Sequence, residues 1–312
     1  MALNGLHKVV AMDLQHYMIS CGFDIPPSHV PVNQHTRFPG IGKKKGNTAG
    51  WAIQSETGLV TFGCYASNAQ FTWVPEHSKP MTPQQKTDLH KRIADERAKA
   101  DQERLENQIR ASNEVNQIWQ TQTEDLLISH SYLLHKHSSI HGIRVVNDGK
   151  YRTALMIPII GTQPPFVGVM QSAQFIFPDG QKWFYPSGKK SAGYWEIQWI
   201  GGAPIVIAEG YATGSTLAKH YTPDCSVLIA FDAGNLLAVA KAFREANPDI
   251  QIIIAGDNDH MTEKKAGFNP GKEKAIQAAQ AVNGSVSIPE FADGEIGSDW
   301  NDRYLLDLKR GG

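Results

Sequence analysis

The sequence predicts an α/β protein: a mostly parallel sheet flanked by helices over residues 202–312, preceded by a basic α+β segment and a small β-rich N-terminal unit. Three observations carry this. From Gly202 onward, short apolar runs alternate with helix-compatible segments, the strand and helix rhythm of a parallel sheet. Ile205–Ala208 is continuously apolar and residues 250–255 are broken only by Gln251, as expected of strands covered on both faces. Upstream the composition shifts twice: a stretch dense in Lys, Glu and Gln follows Thr82, and a β-rich stretch punctuated by Gly, Asn and Ser precedes it.

Residues 1–80 form the β-rich unit. Runs at 50–53, 59–62 and 71–74 are separated by hairpin chemistry, and Lys43, Lys44 and Lys45 lie just ahead of them. With Trp51, Phe62, Tyr65 and Trp73 they suggest a basic, aromatic surface that stacks bases and contacts phosphates. The same aromatic residues suit an ordinary core. Three cysteines, Cys21, Cys64 and Cys225, are far apart and contain no Cys-x-x-Cys pair, which argues against a disulfide framework. Zinc is not expected, because Cys21 with His35 and Cys64 with His77 depart from ordinary ligand spacing.

Residues 82–120 read as one charged helix. Thr82, Pro83 and Gln85 supply a capping start, and sizeable aliphatics are sparse (Leu89, Ile93, Leu105, Ile109, Val115, Ile118), so a solvent-exposed spacer is expected. Residues 121–201 form the basic α+β segment. His130, His135, His137 and His141 have no carboxylate cluster around them and read as surface or capping residues. Strands are expected at 155–160, 166–170 and 173–177, followed by the turn Pro178-Asp179-Gly180 that presents Lys182. The glycine-bounded loop 188–193 presents Lys189 and Lys190, and Arg152 precedes the first strand; such groups suit phosphate contacts.

Over residues 202–312 the expected strands are 205–208, 227–231, 250–255 and 286–288, with helices around 213–220, 235–246, 272–281 and after Asp299. In open α/β sheets ligands gather at the C-terminal strand ends, where Glu209 and Asp257 stand. Asp257 and Asp259 are two apart and leave an extended backbone on the same side; Asp299 and Asp302 are one helical turn apart. Clustered carboxylates suit Mg²⁺ or Mn²⁺ and phosphoryl transfer, with Glu209 also available as a general acid or base. Each piece has a plainer use as well: Asp-Asn-Asp makes turns, and Asp299 suits a helix cap.

Thirty Lys and Arg against 31 Asp and Glu give a net charge of −1, so nucleic-acid contacts would come from local patches rather than bulk charge. No apolar run is long enough to span a membrane and no signal peptide is evident, so a cytoplasmic protein without membrane partners is expected.

Glu209-Gly210, Asp257-x-Asp259 and Asp299-Trp300-Asn301-Asp302 together resemble the Toprim domain, and more closely the Toprim primases of plasmids and phages. His130-Ser131-Tyr132-Leu133 is similar to a His-Pro-Tyr-Leu segment of such primases, and Arg152 with Ile157-Pro158-Ile159 is similar to a strand that precedes their Toprim domain. The β-rich unit resembles their zinc ribbon in position, without its cysteines. The resemblance implies primer synthesis from ribonucleoside triphosphates on a single-stranded DNA template, dependent on Mg²⁺ or Mn²⁺. Glu209, Asp257, Asp259, Asp299 and Asp302 would then hold metal, and Arg152, Lys182, Lys189 and Lys190 template or triphosphate. The sequence lacks a Walker A signature, so a replicative helicase is expected on a separate chain. A Toprim-type nuclease and a non-catalytic DNA-binding accessory protein are the alternatives.

Overall fold

A computed structural model describes residues 13–67, 69–75, 82–122, 124, 127–140 and 142–311. His77 and His141 fall outside the described residues. The chain divides into two units, Met1–Glu103 and Arg104–Gly312.

In the first unit, α1 (Leu14–Ser20) starts on Asp13, whose carboxylate accepts from the His16 N–H at 2.9 Å. Four strands follow, β1 (His35–Phe38), β2 (Gly50–Gln54), β3 (Val60–Cys64) and β4 (Ala69–Trp73), paired in that order and antiparallel throughout. Alternation sends Ala52, Val60, Phe62 and Cys64 to one face, where they pack with Met18 and Phe23. Trp51 and Ile53 go to the other, beneath Ile93 of α2 (Pro83–Thr121). Trp51 is only 1% exposed and lies across Gly63, its cross-strand partner; a Cβ on Gly63 would stand 2.9 Å from the indole. Trp51 is therefore a core residue, and the expectation that it stacks bases at the surface is corrected. Lys43, Lys44 and Lys45 are exposed on the turn between β1 and β2.

The second unit is built on a nine-stranded sheet in the order β13-β12-β10-β11-β9-β6-β7-β8, with β5 beside β6. Its strands are β5 (Arg144–Val145), β6 (Leu155–Gly161), β7 (Met170–Ile176), β8 (Lys182–Phe184), β9 (Gly193–Gln198), β10 (Ile205–Ala208), β11 (Ser226–Ile229), β12 (Ile252–Ala255) and β13 (Ser285–Ser287). β13, β12, β10 and β11 are parallel, as their apolar runs predict. β9 is antiparallel to both β11 and β6 and joins the two halves of the sheet. The boundary expected at residue 201/202 thus lies within one continuous sheet, where the pairing changes from antiparallel to parallel.

Alternation along β10 feeds both faces. Ile205 and Ile207 pack with α5 (Leu236–Ala246) and α7 (Pro270–Ala281); Val206 and Ala208 pack with α4 (Tyr211–Thr216) and with Tyr132 and Leu133 of α3 (Ser131–Lys136). Each such isoleucine or valine buried completely contributes roughly 1.5–3 kcal/mol. α6 (His260–Ala266) and α8 (Trp300–Gly311) complete the unit. The later part of α2 is not a solvated spacer: Val115 is fully buried among Val146, Met156 and Phe175, and Ser112 Oγ donates to the Met170 carbonyl at 2.6 Å. The run 166–170 is a turn rather than a strand, with β7 starting at Met170.

Candidate functional site

The register of the parallel strands sets the site. Ala208 lies opposite Ala255, so the next residues, Glu209 and then Gly256-Asp257, leave neighbouring strand ends together. The Asp257 N–H donates to Glu209 Oε1 at 3.3 Å. A third strand end contributes Asp232, three residues past β11, a residue the sequence reading passed over although the same strand-end rule applies to it. Asp299, just ahead of α8, closes the group. Glu209, Asp232, Asp257 and Asp299 line one cleft of about 990 Å³, together with Tyr132, His135 and Lys136 of α3, the 178–180 turn and Lys182.

Electrostatics mark the acidic wall. Burial pushes the Asp257 carboxyl up, and Glu209 and Asp299 push it further, while Lys182 pulls it back. Burial likewise raises Glu209, against the hydrogen bond from the Asp257 N–H, with Asp259, Asp232 and Asp299 adding to the rise. Asp299 is raised by burial and by Asp302. Asp257 Oδ1 is buried without a hydrogen-bond partner among the described residues. Buried carboxylates that repel one another and leave an acceptor unpaired fit a divalent cation. Among the described residues no three such side chains enclose an ion by themselves. Mg²⁺ is commonly held by one or two carboxylates, with water and phosphate oxygens completing its shell.

Asp259 and Asp302 are placed differently from the other carboxylates. The chain turns at Asn258 and Asp259 begins α6, so the two-residue alternation no longer applies; Asp259 Oδ2 accepts from the Gly271 N–H at 3.0 Å and holds the start of α7. A Cβ on Gly271 would come within 2.7 Å of the Asp257 carbonyl oxygen, so only glycine permits this approach. Asp299 Oδ1 accepts from the Asp302 N–H at 2.8 Å, and Asp302 Oδ2 accepts from the Ser298 N–H at 3.1 Å, which is a reciprocal cap on α8. The other Asp302 oxygen pairs with Lys136 at 3.1 Å.

The basic residues divide as well. Lys182 lines the cleft and reaches over Gly210. Lys190 forms an ion pair with Asp232 and lies over the Phe184 ring. Lys189 is half-buried beside Phe166, and burial lowers its pKa. The loop carrying both is held by Asn235, which accepts from the Ala192 N–H at 2.7 Å and donates to the Gly193 and Ala230 carbonyls, each at 2.8 Å. Asn235 carried no sequence signal beyond a helix start. Arg152 is exposed at a separate recess of about 290 Å³ that shares Ser131 and Pro178 with the main cleft. His130 donates its Nε2–H to the Thr153 carbonyl at 2.9 Å, which fixes the N–H at that nitrogen. His137 and His220 flank the Tyr304 ring.

An acidic cleft at the carboxyl ends of parallel strands, faced by lysines, defines a site suited to a cation and phosphate groups. Residues 204–309 match the family described as Toprim domain, in line with the expected fold. A protein of Escherichia coli named DNA primase TraC is 40% identical over 135 residues, covering 41% of this chain and 12% of that protein. A second Escherichia coli DNA primase TraC is 42% identical over 135 residues, covering 41% of this chain and 9% of its own length. The chain therefore spans about a tenth of the length of these relatives. Among solved structures, the primase fragment of the bacteriophage T7 primase-helicase aligns with a TM-score of 0.43 and 19% identity, over 58% of this chain and 72% of that one.

Proposed function

We propose that the chain synthesises short RNA primers on single-stranded DNA by metal-dependent nucleotidyl transfer, for plasmid or phage replication in a bacterial cytoplasm. The observation that carries this reading is the cleft in which Glu209, Asp257 and Asp299 face Lys136 and Lys182 within a Toprim domain. The likeness to proteins named DNA primase supports it. No helix among the described residues is long and apolar enough to cross a membrane.

Glu209 and Asp257, with Asp299 beside them, would hold Mg²⁺ or Mn²⁺, which supplies charge neutralisation and orientation of phosphate oxygens. Lys182 binds a phosphate entering the cleft. Lys190 exchanges its ion pair with Asp232 for a second phosphate contact. Glu209, which lines the cleft beside Asp257, would also be placed to accept a proton from the attacking ribose hydroxyl. Arg152 and Lys189 hold the template backbone beside the cleft, and Lys43, Lys44 and Lys45 add contacts from the β-rich unit. Asp259 and Asp302 act by fixing α7 and α8, which set the position of Asp257 and Asp299. A replicative helicase would be a separate partner.

Incubation with single-stranded DNA, ribonucleoside triphosphates and Mg²⁺ or Mn²⁺ tests the reading. Labelled oligoribonucleotides that vanish in Asp257→Ala support it. Shortening of the DNA instead would point to the nuclease, and DNA binding with neither product to the accessory protein.

A further inference from the structure

Three buried polar atoms of cleft-lining residues have no hydrogen-bond partner among the described residues. Asp232 Oδ2 is ion-paired with Lys190, which leaves the acceptor Asp257 Oδ1 and the hydroxyl Tyr132 Oη. Tyr132 is 6% exposed, and its ring packs with Leu133 and Ile143 in the core beneath α3. A phenylalanine would provide that packing equally well, so packing does not account for the hydroxyl. Burial, reinforced by Asp299 and Tyr211, raises its pKa, and it keeps its proton as a hydrogen-bond donor. The carboxylates that act on it electrostatically have other partners: Asp299 Oδ1 accepts from the Asp302 N–H, and Asp302 pairs with Lys136 and accepts from the Ser298 N–H. A buried donor left unpaired is destabilising, which makes a ligand that pairs it favourable.

An unpaired acceptor and an unpaired donor on one cavity are satisfied together by a cation that carries an oxyanion. The cation meets Asp257; an oxygen of the anion accepts from Tyr132. We propose that Tyr132 Oη is a substrate-binding donor that contacts a phosphate oxygen of a cation-bound nucleoside triphosphate. This rests on the reading of the cleft as a cation and phosphate site. It adds a contact from α3, which lines the same cleft and lies outside the Toprim match at 204–309.

Tyr132→Phe separates the roles. Its metal-free melting temperature should equal or exceed that of the parent chain, since no partner is lost. Its dissociation constant for Mg²⁺ with ATP, measured by equilibrium titration, should rise about tenfold, the loss of one hydrogen bond to a charged group. Asp257→Asn should lose the Mg²⁺ dependence of ATP binding. Equal ATP affinity in Tyr132→Phe, with Asp257→Asn impaired, overturns the Tyr132 contact and leaves the cleft reading standing. A lowered metal-free melting temperature with unchanged ATP affinity makes the hydroxyl structural and overturns it too. A loss seen with a short single-stranded oligodeoxynucleotide but not with ATP overturns the assignment to the nucleotide. Absence of Mg²⁺-dependent ATP binding in the parent chain overturns the cleft reading and this contact together.

Discussion

Replacing Asp257 with asparagine removes one charge from the acidic wall while keeping its shape. In the folded, metal-free chain, burial and the Glu209 carboxylate raise Asp257 from 3.8 to about 8. The folded state therefore holds this proton more tightly than the unfolded state does. Its contribution to stability is fully present below about pH 4 and is lost as pH rises through about 8. At 1.36 kcal/mol per pKa unit, and with Glu209 titrating as part of the same pair, the loss is on the order of 3–5 kcal/mol. A domain of this size shifts its melting temperature by roughly 2–4 °C per kcal/mol. In EDTA, thermal unfolding followed by circular dichroism should therefore move down by about 6 °C or more between pH 5.5 and 8.5. Asp257→Asn should flatten that slope, and at pH 8.5 it should melt above the parent chain. Mn²⁺ or Mg²⁺ should restore the parent chain at pH 8.5 and leave the variant unmoved. A variant whose melting temperature falls with pH as steeply as the parent's would refute the argument, because the slope would then belong to other groups.

Lys182→Ala should weaken binding of single-stranded DNA or triphosphate severalfold and reduce the salt slope by about one, read from titrations at several salt concentrations; an unchanged slope removes Lys182 from the phosphate path. Asn235→Ala strands the Ala192 N–H and the Gly193 and Ala230 carbonyls and should lower unfolding stability by about 3 kcal/mol in urea. Trp51→Ala should destabilise the first unit by about 3–5 kcal/mol, whereas alanine at Lys43, Lys44 and Lys45 should stay within about 0.5 kcal/mol by the same measurement.

How much of this was legible in the sequence differs by element. β10 was read to the residue because its apolar run ends sharply on Glu209-Gly210 and its neighbours cover both faces. β9 was missed: its residues are mostly half-buried, and neither alternation nor a continuous apolar run marks Gly193–Gln198. Trp51 was ambiguous because an indole suits a core and a stacking surface alike; what decides is Ile93, 42 positions downstream, arriving on the same face. The buried stripe of α2 was diluted by the polar residues around Val115, and Ser112 enters it through a hydrogen bond that no hydropathy pattern records.

The acidic motifs show why spacing alone assigns chemistry incompletely. Asp-x-Asp puts both carboxylates in one place only while the backbone stays extended, and here the strand stops before the second. Asp-x-x-Asp at a helix start puts them on one face, but there Asp299 also caps the helix by accepting the Asp302 N–H, and Asp302 is engaged by the Ser298 N–H and Lys136. Each pair thus contributes one carboxylate to the cleft and one to the helix that positions it. Asp259 anchors α7 through Gly271, and Asp302 anchors the start of α8 and Lys136. Alanine at either position would therefore reach the site indirectly, by loosening the helix that holds its neighbour. The third strand end supplies the remaining acid, Asp232, and binds it to Lys190 from the antiparallel half of the sheet. β9 makes that meeting possible, since it pairs with β11 on one side and with β6 on the other. The cleft accordingly draws on both halves of the sheet, with its acids coming from the ends of β10, β11 and β12 and the start of α8, and its lysines from β8 and α3.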